Sequence, residues 1–173
     1  MEDLIKDKDL TFFERELWSQ GYDYIAGIDE VGRGSLAGPM VVCSVILNKE
    51  HFTSSLKDLI EEHKLYTEVK DSKKISPNKR RRIRDFLVGE VYSYSIVEVP
   101  NLEIDSDGII PCTLKAFSKA VKNLDVKPHH IITDNYEIPD IAKQSQTNLV
   151  RGDNKSITVA AASIIAKVYR DDL

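Results

Sequence analysis

The chain has 173 residues, of which 42% are apolar and 30% charged, with a net charge of −4 at neutral pH. That length and balance fit one globular domain, or one domain with a small appendage, whose core needs no disulfide or metal staple. Two cysteines without metal-ligand spacing, Cys43 and Cys112, exclude a disulfide scaffold and a zinc ribbon, and no apolar run approaches the ~20 residues of a membrane-spanning helix.

Taken in chain order, Met1-Glu2-Asp3-Leu4-Ile5-Lys6-Asp7 is charged and lacks a signal peptide's apolar stretch, so the expected compartment is the cytoplasm. Thr11-Phe12-Phe13-Glu14 fits a capping box, and Gly21 supplies a stop, which predicts a short N-terminal helix. Tyr24-Ile25-Ala26-Gly27-Ile28 reads as a strand running into Asp29-Glu30. After a glycine-rich turn, residues 40–47 form a second, β-branched strand. Ser76-Pro77 places a cap and a first-turn proline before a helix through 81–87. Residues 91–99 alternate as a third strand, and Leu114, Phe117, Val121 and Leu124 share a helix face. Short strands follow at 130–133, ending at Asp134, and at 147–150, leading to Gly152-Asp153. Ser156 caps a last helix, 157–170, which is apolar all round and so expected to be buried. This order predicts an α/β domain with a mixed sheet.

Charge is unevenly placed. Residues 70–84 hold eight basic residues and one acid, a local +7 against −11 elsewhere. Either a solvated helix face or a phosphate-binding surface accounts for such a run.

The turn Gly32-Arg33-Gly34-Ser35-Leu36-Ala37 matches G-x-G-x-x-A, a dinucleotide-binding pattern, but that reading needs a helix after the turn. Strand residues follow Gly38-Pro39 instead. Asp29 and Glu30 stand at the end of an apolar strand, where acids are costly unless paired, exposed or bound to metal. Successive strand residues point to opposite faces, so both reach one site only if the strand ends or bulges there. Asp134 also follows a strand, and Asp153 precedes the buried helix, where it could serve simply as a cap. Each acid alone is readily structural. Together the four are the raw material of a hard-cation site of Mg²⁺ or Mn²⁺ type. His129-His130 diverge on a strand without a further ligand, and Asp171 reads as a supporting residue.

The segment Ile28-Asp29-Glu30-Val31-Gly32-Arg33-Gly34-Ser35-Leu36-Ala37-Gly38-Pro39 closely resembles the first motif of the ribonuclease HII family. Asp71-Ser72-Lys73-Lys74-Ile75-Ser76 resembles its second. Glu103-Ile104-Asp105 resembles a third, with Gly108 in place of the usual asparagine. Gly152-Asp153-Asn154-Lys155-Ser156 and the helix through Asp171 resemble the last core motif. Asn135 stands where the family usually has glycine or alanine.

The resemblance implies a ribonuclease H-like fold, a mixed sheet of about five strands flanked by helices. It divides the chain into an N-terminal helical extension, 1–22, and a catalytic domain, 23–173, lacking the family's C-terminal segment with its Lys-Gly-Tyr motif. It implies that Asp29, Glu30, Asp134 and Asp153 are catalytic acids holding two Mg²⁺ or Mn²⁺ ions across the scissile phosphate. Gly32, Arg33 and Gly34 match the segment that reads the ribose at an RNA–DNA junction, and Lys73, Lys74, Lys155 and Ser156 are further candidates for substrate binding. The implied activity is endonucleolytic cleavage of RNA in RNA/DNA hybrids, or of ribonucleotides embedded in duplex DNA, leaving 5′-phosphate and 3′-hydroxyl ends. The implied state is a monomer without membrane contact. A nucleic-acid-binding fragment without turnover is the alternative, since the family's junction-reading tyrosine lies in the segment not matched. The final Arg170-Asp171-Asp172-Leu173 also sets acids at the negative end of a helix dipole, an unfavourable arrangement.

Overall fold

Strands that are apolar on both faces must be covered on both sides. The computed structural model, which describes residues 9–34, 38–53, 66, 68–69 and 76–173, shows how. Its elements are α1 (Phe12–Ser19), β1 (Ile25–Val31), β2 (Met40–Ile46), α2 (Glu50–Thr53), α3 (Pro77–Glu90), β3 (Ser93–Val99), α4 (Asn101–Asp107), α5 (Ile109–Lys122), β4 (His130–Asp134), β5 (Gln146–Leu149) and α6 (Ile157–Asp171). The strands form one sheet in the order β3-β2-β1-β4-β5. β1 pairs antiparallel with β2 and parallel with β4, so the sheet is mixed. β2 is buried along its whole length, whereas β3, at an edge, alternates between buried and exposed positions.

Two apolar layers flank the sheet. On one face α6 packs with α1 and α3, burying Trp18, Ile83, Leu87, Ile164 and Ile165. On the other, α5 lays Ala116, Phe117, Ala120 and Val121 against Ala26, Ile28 and Val42. Segment 1–22, expected as an appended helix, contributes Leu10 and Trp18 to the first layer. Ser76 accepts a hydrogen bond from the Lys79 N–H and Pro77 opens α3, as the sequence signal predicts. The capping box at Thr11 does not form. Thr11 bonds Asp9 instead, and Glu14 turns inward to the start of α6.

α6 approaches β1 at backbone distance. A methyl group on Gly27 would lie 2.2 Å from the Thr158 carbonyl carbon and 2.4 Å from the Val159 nitrogen. Only a residue without a side chain fits there, and Ala160, Ala161 and Ala162 keep the following turn slim. From Thr158 to Ser163 the helix rises about 7.5 Å, and from Gly27 to Asp29 the strand rises about 7 Å. Helix and strand therefore run together, and α6 delivers Ser163 to Asp29.

At the far end of α6, Asp171 and Asp172 do not stand unpaired at the negative pole. Arg81 donates to Asp172 at 2.8 Å, Arg84 lies 3.8 Å from it, and Arg80 lies 3.6 Å from Asp171. The unfavourable helix end expected from the sequence is thus countered by α3, and part of the basic run is neutralised by these acids.

Gly27→Ala tests the close approach. Its methyl meets backbone, which cannot swing aside, so destabilisation should reach or exceed the upper end of the about 1–3 kcal/mol usual for overpacking. Denaturant unfolding checks this; a loss below about 0.5 kcal/mol would show that α6 shifts freely.

Candidate active site

The parallel pairing of β1 with β4 runs from Ile25–His130 only as far as Ile28–Thr133. β1 continues beside β2 through Asp29, Glu30 and Val31. A cleft therefore opens between the carboxyl ends of two neighbouring strands, where open α/β sheets gather ligands. Its volume is about 450 Å³, and Asp29, Glu30 and Asp134 all line it.

Asp29 and Glu30 lie inside a strand that is longer than expected, and its pairing with β2 is regular through both. They face opposite sides of the sheet, as alternation requires. Asp29, in phase with Gly27, faces α6 and receives a hydrogen bond from Ser163. Glu30, in phase with Ile28, faces Arg33. Both reach one cleft because β4 has stopped pairing beside them.

Burial pushes the Asp29 carboxyl well above its ordinary range, and the neighbouring Glu30 and Asp134 charges push it further, against the opposing pull of Ser163. Burial likewise raises Glu30 to about 7; Arg33 lowers it and Asp134 raises it. The Arg33 Nη1 donates to Glu30 Oε1 at 3.2 Å, while Glu30 Oε2 is buried without a hydrogen-bond partner among the described residues. Hard oxygen donors that line one cleft, one of them unsatisfied, fit a hard divalent cation.

Asp134 is held by the Gly152 N–H, which donates to its Oδ1 at 2.8 Å. Gly152 comes so near that a methyl group there would lie 3.3 Å from the Asp134 Cα. Asn135 follows with φ of 68°, a left-handed conformation that asparagine tolerates. Asp153 lies on the 3-10 turn Gly152–Asn154 beside Asp134 and is buried, but its side chain does not line the cleft.

The glycine-rich turn forms the rim. Gly32, Arg33 and Gly34 line the cleft, and the Arg33 guanidinium lies 4.6 Å from the Tyr136 ring centre. Gly32 has φ of 110°, and a methyl group there would meet the Arg170 Nε at 2.6 Å. Arg170 in turn donates to the Pro39 carbonyl at 2.9 Å, bracing both ends of the turn from α6.

Of the other substrate-binding candidates, Lys73 and Lys74 lie outside the described residues. Lys155 is half-buried on the Asp153 turn. Ser156 differs from expectation: it is fully buried, capping α6 and donating to Glu14, so its hydroxyl does not face a substrate. Three cleft residues escaped the sequence reading. Ser163 sat within an apolar helix, and Arg80 and Lys167 belong to ordinary charged stretches, yet all three line the cleft. Lys167 donates to Asp171 at 2.5 Å, beside Arg80.

The raised carboxyls give a pH test. Below its ordinary value of 4.5, Glu30 is protonated in both folded and unfolded chains and does not affect stability. Between 4.5 and about 7 the unfolded chain ionises first, so stability falls as pH rises, and the loss is complete above 7. Its size is on the order of 3 kcal/mol. In EDTA, melting temperature should therefore drop from pH 5 to pH 8, and Glu30→Gln should flatten the drop. Mg²⁺ at pH 8 should restore part of it. An unchanged pH profile in Glu30→Gln would contradict the assignment.

Comparison with known proteins gives one family. The model of the family described as Ribonuclease HII matches residues 26–173. The chain is 42% identical over 163 residues to the ribonuclease HII of Clostridium beijerinckii, covering 94% of this chain and 57% of that protein. It is 40% identical over 166 residues to that of Chlamydia caviae, covering 94% of this chain and 70% of that protein. The chain thus spans little more than half the length of several curated relatives. The crystal structure of ribonuclease H2 from Pyrococcus horikoshii OT3 superposes with a TM-score of 0.70 at 28% identity, over 86% of this chain and 72% of that one. Bst-RNase HIII in complex with Mn²⁺ shares the fold, with a TM-score of 0.65 at 23% identity over 86% of this chain and 52% of that one. The family match, the curated relatives and the superposed structures agree: the fold is ribonuclease H-like, and the chain belongs to the ribonuclease HII family.

Proposed function

We propose that this chain is a metal-dependent endoribonuclease that cleaves RNA within RNA/DNA hybrids and at ribonucleotides embedded in duplex DNA. The observation that carries the reading is the convergence of Asp29, Glu30 and Asp134 on one cleft rimmed by Gly32-Arg33-Gly34. We place Asp153 in the same cation-binding set, supported by its turn's hydrogen bond to Asp134.

Asp29, Glu30, Asp134 and Asp153 would hold divalent Mg²⁺ or Mn²⁺. Two such ions would supply activation of a water and stabilisation of the leaving 3′-oxygen, chemistry that would yield 5′-phosphate and 3′-hydroxyl ends. Ser163 keeps Asp29 aimed at the cleft through its hydrogen bond. Arg33 engages one oxygen of Glu30, and the other would remain for a cation. Gly32 and Gly34 carry no side chain, so backbone groups of the turn can approach a nucleotide closely, and only a ribonucleotide offers a 2′-hydroxyl there. Arg80 and Lys167 place positive charge along the cleft for the phosphate backbone. Lys73, Lys74 and Lys155 remain candidates for the same role. The working unit in this reading is a cytoplasmic monomer, acting away from membranes.

The test is cleavage of a DNA duplex carrying one ribonucleotide, with Mg²⁺, Mn²⁺ or EDTA. Cleavage should require the metal and leave a 3′-hydroxyl. Asp134→Asn should fall by well over tenfold, a barrier increase above ~1.4 kcal/mol. It should keep its fold, because an amide oxygen still accepts the Gly152 N–H. Binding of the duplex without metal-dependent cleavage would favour a nucleic-acid-binding module instead.

A further inference from the structure

Glu14 is fully buried, and among the described residues its side chain bonds the cap and first turn of α6. Its Oε1 accepts from the Ser156 hydroxyl at 2.5 Å, the Thr158 hydroxyl at 2.6 Å and the Thr158 N–H at 3.0 Å. Its Oε2 is buried without a hydrogen-bond partner among the described residues. Fixing a helix to a core does not require this. A half-satisfied buried carboxylate is costly, and an apolar side chain of similar volume packs at least as well. A carboxylate does what an apolar side chain cannot, which is to set the rotation and position of the polar first turn of α6.

That first turn governs the acids. The Lys155 and Ser156 N–H groups both donate to the Gly152 carbonyl at 2.9 Å, closing the turn that carries Asp153. The Gly152 N–H donates to Asp134 at 2.8 Å. A second tether comes from the same segment, where the Leu10 carbonyl accepts from the Ile157 N–H at 2.8 Å. A continuous hydrogen-bonded chain thus runs from Glu14 through Ser156 and Gly152 to Asp134.

We propose that Glu14 is a positioning residue for the acidic cleft: by clamping Ser156 and Thr158 it fixes the Gly152-Asp153-Asn154 turn, and so sets Asp153 and Asp134 for divalent-cation binding. The inference rests on the reading of the cleft as a cation site. It makes the N-terminal helix a working part of that site, although Glu14 lies more than a hundred residues from the acids it serves.

The test measures Mn²⁺ binding to the full chain by electron paramagnetic resonance of the free ion, alongside thermal melts and steady-state cleavage. Glu14→Ala should weaken Mn²⁺ affinity about tenfold or more, the usual effect of losing an outer support of a metal site. Well below its melting temperature it should lower kcat with little change in substrate KM. Glu14→Gln keeps an acceptor oxygen for Ser156 and Thr158 and should recover most of both. A lower melting temperature with unchanged Mn²⁺ affinity in Glu14→Ala would show a purely structural anchor and overturn the proposal. Should Glu14→Ala fail to fold, Thr158→Val removes one of the three donors and leaves Glu14 in place. A smaller loss of Mn²⁺ affinity is then expected, and no loss overturns the proposal. Asp134→Asn and Asp153→Asn separate the two claims. If both bind Mn²⁺ like the parent chain, the cleft reading itself fails and the proposal with it. If they lose Mn²⁺ and Glu14→Ala does not, only the role of Glu14 fails.

Discussion

The contact of α6 with β1 at Gly27 is the constraint on which the rest of the structure depends. Because a methyl group there would overlap the backbone of Thr158 and Val159, the helix axis lies as close to the strand as two backbones allow. With that distance set, equal rises along helix and strand bring successive parts of α6 to successive parts of the site. Thr158 meets Gly27, Ser163 meets Asp29, and Arg170 meets Gly32. One helix therefore braces β1, orients an acid and anchors the glycine-rich turn. Its all-round apolarity follows from being packed between the sheet, α1 and α3.

The site is assembled against its own electrostatics. Three carboxylates converge on a cleft of about 450 Å³, and burial raises the two on β1. Arg33 and Ser163 relieve part of the strain by bonding one acid each. What remains is a site whose ionised form the surrounding fold disfavours and which an entering positive charge would stabilise. The same balance operates at the outer end of α6, where Asp171 and Asp172 meet the arginines of α3. There the acids organise Arg80 and Lys167 along the cleft wall.

Much of this was legible in the sequence, and for physical reasons. Apolar runs marked the strands, Ser76-Pro77 marked the start of α3, and residues apolar on every side marked α6 as buried. The failures share a cause: they concern partners far apart in the chain. Thr11-Phe12-Phe13-Glu14 has the spacing of a capping box, but Glu14 finds better donors on Ser156 and Thr158. A strand end is expected at Asp29 because the apolar run stops at Ile28. The strand in fact runs on to Val31, and the end that matters belongs to its neighbour, β4. Asp171 and Asp172 looked unfavourable only because α3 could not be placed beside them from the sequence. Ser163 gave no signal at all, since its role depends on the register of α6 against β1.

The central claim is that the cleft between the ends of β1 and β4 binds divalent cations through the acids around it. Crystals of the chain grown with a ribonucleotide-containing duplex and soaked in Mn²⁺ would test it by anomalous scattering. The account requires anomalous peaks within the cleft, each within coordination distance of at least two of Asp29, Glu30, Asp134 and Asp153, with the strand's phosphate against them. Among the described residues, the grouping of possible ligands whose atoms lie within 4.8 Å of one another is Glu103, Asp107 and Cys112, at the start of α5, and it provides an internal comparison. Peaks there and none in the cleft at saturating Mn²⁺ would contradict the account.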